Sequence, residues 1–368
     1  MNVLVTGADG FVGKNLIISL KRNSDIEIVR YTRNNTLDEL TSFVDSADFI
    51  FHLAGVNRPE SDSEFKQGNA DLTFEICNRV KATGRDIPIV LSSSIQAERD
   101  NAYGQSKLLA ETHLLNLHNE TGNKVYLYRL PNVFGKWCKP NYNSVVATFC
   151  NNIANNLPIQ INDENAELDL VHIGTVVTSF LDVLFSQYKD KIHIDIEPIY
   201  KVTLGELASK IYDYKNSRES LITERVGDGF ERVLYATYIS YIKPDDFGYE
   251  VKQHKDPRGR FVEMLKTKDS GQFSFFTAHP GITRGGHYHH CKTEKFLVIK
   301  GKARFGFRHI ITDEMCELIT TGDEAKIVET VPGWSHDITN IGDDELIVML
   351  WANENFDPET PDTVAYKV

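Results

Sequence analysis

The rhythm of apolar and polar positions changes twice along this chain. Over the first 130 residues, short apolar runs alternate with stretches of helical periodicity. Asn2–Thr6, Glu27–Tyr31, Phe49–Leu53, Ile89–Ser92 and Val125–Leu130 read as strands, and segments such as Val12–Arg22 and Lys107–Asn119 read as helices. Strands that are apolar at successive positions belong in a parallel sheet covered on both faces. Between 131 and 245 the pattern loosens, with helices expected at Val145–Asn155, Gly174–Phe185 and Leu204–Lys215. The turn-rich stretch Asp245–Tyr249 and the polar run Lys252–Arg260, with Pro257 and Gly259, mark a boundary. Beyond it, short strand candidates recur: Phe261–Lys266, Gln272–Ala278, Glu294–Lys300, Ala303–Arg308, Cys316–Thr320, Lys326–Glu329 and Leu346–Ala352. Their spacing of roughly ten residues favours a sandwich or barrel. The expected architecture is an α/β, Rossmann-type doubly wound parallel sheet with a small substrate subdomain over residues 1–247, followed by an all-β domain over 248–368.

Composition narrows the function without choosing it. The 368 residues are 41% hydrophobic and 25% charged, as in an ordinary globular protein, and the length suits more than one domain. A formal net charge of −12 with no basic tract argues against a nucleic-acid partner or an anionic membrane surface. No apolar run reaches the ~18 residues of a membrane span. The N-terminus enters a strand pattern at Asn2 without the regions of a signal peptide. Five scattered cysteines form no CxxC pair, so reduced thiols and a cytoplasmic location are expected.

The first chemical constellation begins where the first strand ends. Thr6-Gly7-Ala8-Asp9-Gly10-Phe11-Val12-Gly13 opens a helix, and glycines there allow a tight turn and let backbone approach a pyrophosphate at the helix's positive end. After the second strand, no acid stands in Arg30–Arg33 to bind ribose hydroxyls. Arg33 suits the extra phosphate of NADP(H); its alternative is a solvated surface residue. Tyr103 and Lys107 lie one helical turn apart, so the ammonium is expected to lower the phenol's pKa and make it a usable general acid. Ser94 ends the preceding strand, within reach of a substrate carbonyl.

These residues resemble the extended short-chain dehydrogenase/reductases, many of which act on nucleotide sugars. Further matches are His52-Leu53-Ala54-Gly55, Asn69 and Arg129-Leu130-Pro131-Asn132-Val133-Phe134-Gly135. The resemblance implies that Ser94 and Tyr103 polarise and protonate the carbonyl. It further implies that Lys107 holds the nicotinamide ribose, that Leu53, Ala54 and Gly55 wall the cofactor, and that Asn132 lies near the sugar nucleotide.

The second constellation lies far downstream. His287 and His289, two apart on a strand, point to one face, and Glu294 and His336 add a carboxylate and a third imidazole for a divalent metal. His290 is a fifth candidate, as ligand or as base. Gly281, His287, His289, Glu294 and Gly301 resemble the first motif of the cupins, and Pro332–Asn340 the second, except that proline directly precedes Gly333. The resemblance implies a double-stranded β-helix (jelly-roll) fold, with zinc or another first-row ion held by these side chains. A metal-free barrel using His287 as a base is the alternative.

A reductase followed by a cupin resembles the family of bifunctional capsular-polysaccharide enzymes, and segments such as Val56–Glu60, Gly135–Ser144 and Lys201–Glu206 fit it. The family implies carbon-3 epimerisation of a UDP-linked 2-acetamido-2,6-dideoxy-4-ketohexose in the cupin. NADPH-dependent reduction at carbon 4 then gives UDP-2-acetamido-2,6-dideoxy-L-talose, a precursor of N-acetyl-L-fucosamine. It also implies a homodimer, since cupins commonly pair. The competing expectation is that only the reductase is catalytic and the cupin serves dimerisation or metal-dependent stability.

Overall fold

In a computed structural model, which describes residues 1–59, 61–185, 191–359 and 361–368, the chain forms two compact units. Glu60, the last residue of the Val56–Glu60 segment, lies outside the described residues. Residues 1–211 and 232–242 make up the first unit, and 212–231 with 243–368 the second.

The first unit is built on five parallel strands, β1 (Asn2–Thr6), β2 (Glu27–Tyr31), β3 (Phe49–His52), β4 (Ile89–Ser94) and β5 (Val125–Leu130), in the order β2-β1-β3-β4-β5. Their apolar runs divide between the two faces as the pleat requires. Val3, Val5, Phe49 and Phe51 join one core cluster with Leu16, Ile17 and Phe180; Leu4 and Ile50 join the other with Ile76, Val80 and Leu114. Helices therefore cover both sides: α1 (Phe11–Leu20), α2 (Leu37–Ser46), α3 (Ser63–Phe65) continuing through a π-turn at Lys66–Asp71 into α4 (Leu72–Thr83), and α5 (Ala102–Thr121). The connection from β1 runs to one side and that into β3 to the other, so the strand order reverses between them. In open sheets of this kind, that crevice is where ligands bind.

The looser region contains three strands the apolar pattern did not mark, β6 (Asn132–Phe134), β7 (Glu167–His172) and β8 (Tyr200–Thr203), which form a small mixed sheet. Helices α6 (Val145–Ala154), α7 (Ile173–Leu184), α8 (Leu204–Ser220) and α9 (Gly229–Ile239) complete this part of the chain. Among the described residues no helix is long and apolar enough to cross a membrane.

In the second unit, β9 (Ile222–Thr223), β10 (Gln253–Asp256), β11 (Gly259–Thr267) and β12 (Gln272–Ala278) lead into two antiparallel-rich sheets. The chain continues through β13 (Thr283–Tyr288), β14 (Glu294–Lys300), β15 (Lys302–His309), β16 (Met315–Thr321), β17 (Ile327–Glu329), β18 (Trp334–Asn340), β19 (Leu346–Ala352) and β20 (Val364–Ala365). One sheet runs β10-β11-β12-β19-β14-β17 and the other β16-β15-β18-β13-β20. Phe276, Phe296, Val298, Phe305, Ile338, Val348 and Leu350 fill a common core.

Candidate functional site

In the first unit, β1 runs directly into Gly7, where only glycine fits. Its φ is +66°, and a Cβ there would stand 2.7 Å from the Ala54 nitrogen and 2.8 Å from the Leu53 carbonyl carbon. The Gly10 amide donates to the Gly7 carbonyl at 2.9 Å and closes the turn. Gly13 backs against the Gly7 carbonyl, while Phe11, Val12 and Leu53 are half-buried against the core. Helix α1 begins without a side-chain cap and without an acid in its first turn, leaving its positive end available to an anion. This cradle, which any Cβ would fill, fits a dinucleotide pyrophosphate. Arg33 is exposed and forms no hydrogen bond or ion pair among the described residues. Arg30, which the sequence reading did not single out, reaches back to pair with Asp9 of the turn.

A chain of polar contacts fixes the wall opposite. Thr6 Oγ1 meets His52 Nδ1 at 2.7 Å, and His52 Nε2 meets Thr73 Oγ1 at 2.9 Å. Thr73 in turn donates to the Asn69 carbonyl at 2.6 Å. Burial drives the His52 pKa down to about 3, with the Lys107 cation acting in the same direction, so the ring is neutral. Asn69, on the π-turn, accepts the Val56 amide at 2.9 Å and donates to Ser106 Oγ at 2.9 Å; Ser106 donates to the Tyr103 carbonyl at 2.7 Å. The 54–56 wall is thus tied to the helix that carries Tyr103 and Lys107. π-bulges are frequent at functional sites.

Tyr103 and Ser94 are brought together as expected from their types, but the balance of effects differs. Burial pushes the Tyr103 phenol above its ordinary pKa, and a hydrogen bond with the Ser94 hydroxyl only partly opposes this. The expected lowering by Lys107 is absent because the ammonium donates to the Ser92 carbonyl at 3.0 Å and lies 6.0 Å from the Tyr103 ring centre. The phenol is therefore protonated at neutral pH, the form a proton donor needs. Burial also lowers Lys107 to about 8, against the opposing pull of Glu111. Beneath them, buried Glu111 accepts from Ser93 Oγ at 2.5 Å and from Arg129 Nη2 at 2.7 Å, and Arg129 also reaches Glu98 at 2.8 Å. This support was missed; its trace in the sequence is an acid one turn beyond Lys107 among apolar neighbours. Asn132 is exposed and donates to the Asp169 carbonyl at 3.3 Å.

In the second unit, the residues proposed as ligands converge from three segments. A bulge between Gly285 and His287 sets His287 opposite His336 in the β13–β18 ladder. Gly285 makes this possible, with φ of +92° and a would-be Cβ only 2.8 Å from the His336 carbonyl oxygen. The His287 and His336 rings are centred 4.7 Å apart, and His287 and His289 5.0 Å apart. Glu294, at the start of β14, places Oε2 3.3 Å from His289 Nε2 and 3.4 Å from His336 Nε2, while its Oε1 lies 3.1 Å from Lys292 Nζ. One donor atom from each of His287, His289, Glu294 and His336 falls within 4.8 Å of the others. His290 is left outside this cluster, exposed, with its ring against Tyr288.

Burial alone would raise the Glu294 carboxyl, but hydrogen bonds from His289 and His336 and the Lys292 charge outweigh it and hold the group far below the carboxylate range. Burial lowers His287 to about 4, helped by the neighbouring imidazoles. His336 turns Nε2 toward Glu294, and its Nδ1 is buried without a hydrogen-bond partner among the described residues. Three imidazoles and a carboxylate fit zinc or another first-row divalent ion. Asp362 was also missed: its carboxylate accepts the amides of His290 (2.8 Å), Cys291 (2.6 Å) and Lys292 (2.7 Å).

Residues 3–195 match the NAD dependent epimerase/dehydratase family and residues 254–364 the polysaccharide biosynthesis C-terminal domain. The chain is 58% identical over 368 residues to a UDP-2-acetamido-2,6-beta-L-arabino-hexul-4-ose reductase of Pseudomonas aeruginosa, covering 100% of this chain and 99% of that one. The capsular polysaccharide assembling protein CapF from Staphylococcus aureus superposes with a TM-score of 0.93 at 44% identity, over 100% of both chains. A UDP-glucuronic acid 4-epimerase from Bacillus cereus in complex with NAD shares the fold over 59% of this chain and 84% of its own, with a TM-score of 0.52 at 17% identity.

Proposed function

The chain belongs to the CapF family of capsular-polysaccharide enzymes, with an epimerase/dehydratase-type domain ahead of a polysaccharide-biosynthesis C-terminal domain, and on that footing we propose a two-step conversion of a UDP-sugar. The second domain inverts carbon 3 of a UDP-linked 2-acetamido-2,6-dideoxy-4-ketohexose. The first then reduces carbon 4 to give UDP-2-acetamido-2,6-dideoxy-L-talose. The observation that carries the reductive step is the half-buried, protonated Tyr103 hydrogen-bonded to Ser94 beside Lys107. Tyr103 donates a proton to the carbonyl oxygen, Ser94 orients that oxygen, and Lys107 holds the nicotinamide ribose and keeps positive charge nearby. Gly7, Gly10 and Gly13 seat the pyrophosphate. NADPH supplies the hydride, and the exposed Arg33, with no acid in Arg30–Arg33, suits its extra phosphate better than it suits NADH.

For the first step, a ketone at carbon 4 acidifies the carbon-3 hydrogen. His289, Glu294 and His336 are buried and take the role of ligands, whereas His287 is half-buried and neutral, as a base must be. A divalent cation bound by these residues would supply Lewis-acid stabilisation for charge developing on the keto oxygen. The functional division is placed near residues 247 and 248. The enzyme is further proposed to be cytoplasmic, where NADPH is at hand, and homodimeric through its cupin-like part.

The test is to supply the UDP-4-ketosugar with NADPH or NADH and follow nucleotide absorbance and product. NADPH oxidation giving the L-talose product is expected; no oxidation with this substrate sinks the reductase reading, and equal use of NADH removes the assignment of Arg33. A pH profile reports the active-site ammonium. With Lys107 near 8 and Tyr103 raised, kcat/KM should fall as pH climbs through about 8, where Lys107 loses its proton while the phenol keeps its own. A profile flat beyond that range would leave Lys107 without its assigned part.

A further inference from the structure

The turn between β13 and β14 contributes His289 and ends at Glu294, yet residues 289–293 belong to no strand. Their amides lie outside the strand ladder and take acceptors from elsewhere in the fold. One side chain serves three of them, while Asn353 Oδ1 takes the Thr293 amide at 2.9 Å. The Asp362 carboxylate takes the amides of His290, Cys291 and Lys292 at 2.8, 2.6 and 2.7 Å, so three successive N–H groups converge on a single anion. The Asp362 backbone carbonyl also accepts from His289 Nδ1. That contact holds a proton on Nδ1 and leaves Nε2, 3.3 Å from Glu294 Oε2, as the ring atom that faces the cluster.

The residues that follow fasten the same segment. In β20, Val364 pairs with Tyr288 and Ala365 with His287. The Tyr366 amide donates to the Gly286 carbonyl at 2.8 Å, and the hydroxyl of Ser335, next to His336, donates to the Tyr366 carbonyl. Residues 362–366 therefore touch the segments that carry His287, His289 and His336.

Resting on the metal reading given above, we infer that Asp362 is the positioning residue of the metal centre formed by His289, Glu294 and His336. It holds the 290–292 turn and the orientation and tautomer of His289 in the geometry a divalent ion requires. Asp362→Asn keeps the shape but loses acceptor strength toward the three amides, and Asp362→Ala loses it altogether. In the full-length protein, zinc affinity measured by competition with a chromophoric chelator should fall about 10–100-fold for Asp362→Ala, the size of effect typical of an outer-shell partner, and less for Asp362→Asn. Amide exchange at His290, Cys291 and Lys292 should speed up in both. A merely structural role predicts something else: the metal-free variants would melt below metal-free wild type, with zinc affinity unchanged once folded. Wild-type zinc affinity in folded Asp362→Ala overturns the assignment of Asp362 alone. A wild-type protein that binds no zinc, cobalt or manganese overturns the metal reading and this one with it.

Discussion

Replacing Tyr103 by phenylalanine is expected to lower kcat/KM for NADPH-dependent ketosugar reduction by about 10²–10⁴-fold, the range that general acid catalysis contributes. Cofactor affinity and melting temperature should stay near wild type. The substitution keeps the ring, which packs against Phe65 with centroids 5.5 Å apart, and removes only the hydroxyl. Ser94 retains a second partner, since its oxygen accepts the Gln96 amide at 3.2 Å and caps the short helix that follows. No buried polar group is orphaned, so any large loss of rate belongs to the missing proton. Because burial holds the phenol above its ordinary pKa, the deficit should persist across neutral pH. Initial rates from NADPH absorbance decide the matter, and a Tyr103→Phe enzyme keeping half the wild-type rate would remove Tyr103 from the mechanism.

The second large effect is expected from His336→Ala. His336 is 2% exposed and sits in the ladder directly opposite His287, with Nε2 3.4 Å from Glu294 Oε2. Removing the imidazole deletes a donor and one of the hydrogen bonds that keep Glu294 ionised while buried. Zinc affinity should fall by more than the ~10–100-fold seen when only an outer partner is lost. Carbon-3 inversion should fall with it. Reduction of sugar already inverted at carbon 3 should proceed as in wild type, because the reductive residues all lie in the first unit. Metal analysis of the purified variant, alongside rates on the two substrates, checks both halves. If His336→Ala retains its metal and still inverts carbon 3, the centre is wrongly placed.

Much of this was legible in the chain, for physical reasons that differ by region. The parallel sheet was visible because Val3-Leu4-Val5 and Phe49-Ile50-Phe51 must be apolar on both faces, and they divide between the two clusters accordingly. The turn at Gly7 was visible because only glycine tolerates both its φ and the approach of Ala54. Strands β6 to β8 were not, since Glu167–His172 and Tyr200–Thr203 alternate polar and apolar over too few residues to outweigh their surroundings. The direction of the Tyr103 shift was also hidden, because spacing places Lys107 one turn away but does not reveal that its ammonium is drawn to the Ser92 carbonyl. Strand periodicity expected His287 and His289 on one strand, whereas His289 lies past the end of β13, in the turn that also leaves His290 outside the cluster. Nothing local announced Asp362, whose partners lie 70 to 72 positions earlier in the chain.

The claim that most needs testing is that the histidine-bearing domain acts on carbon 3 before hydride reaches carbon 4. Incubating the metal-loaded protein with the UDP-4-ketosugar in deuterated water, without NADPH, isolates that step. Proton resonance should show the carbon-3 signal vanish as deuterium enters, at a rate that His287→Asn abolishes and Tyr103→Phe leaves unchanged. A carbon-3 proton that persists through the incubation, while added NADPH is still oxidised, would contradict the account and reduce the second domain to a structural partner of the reductase.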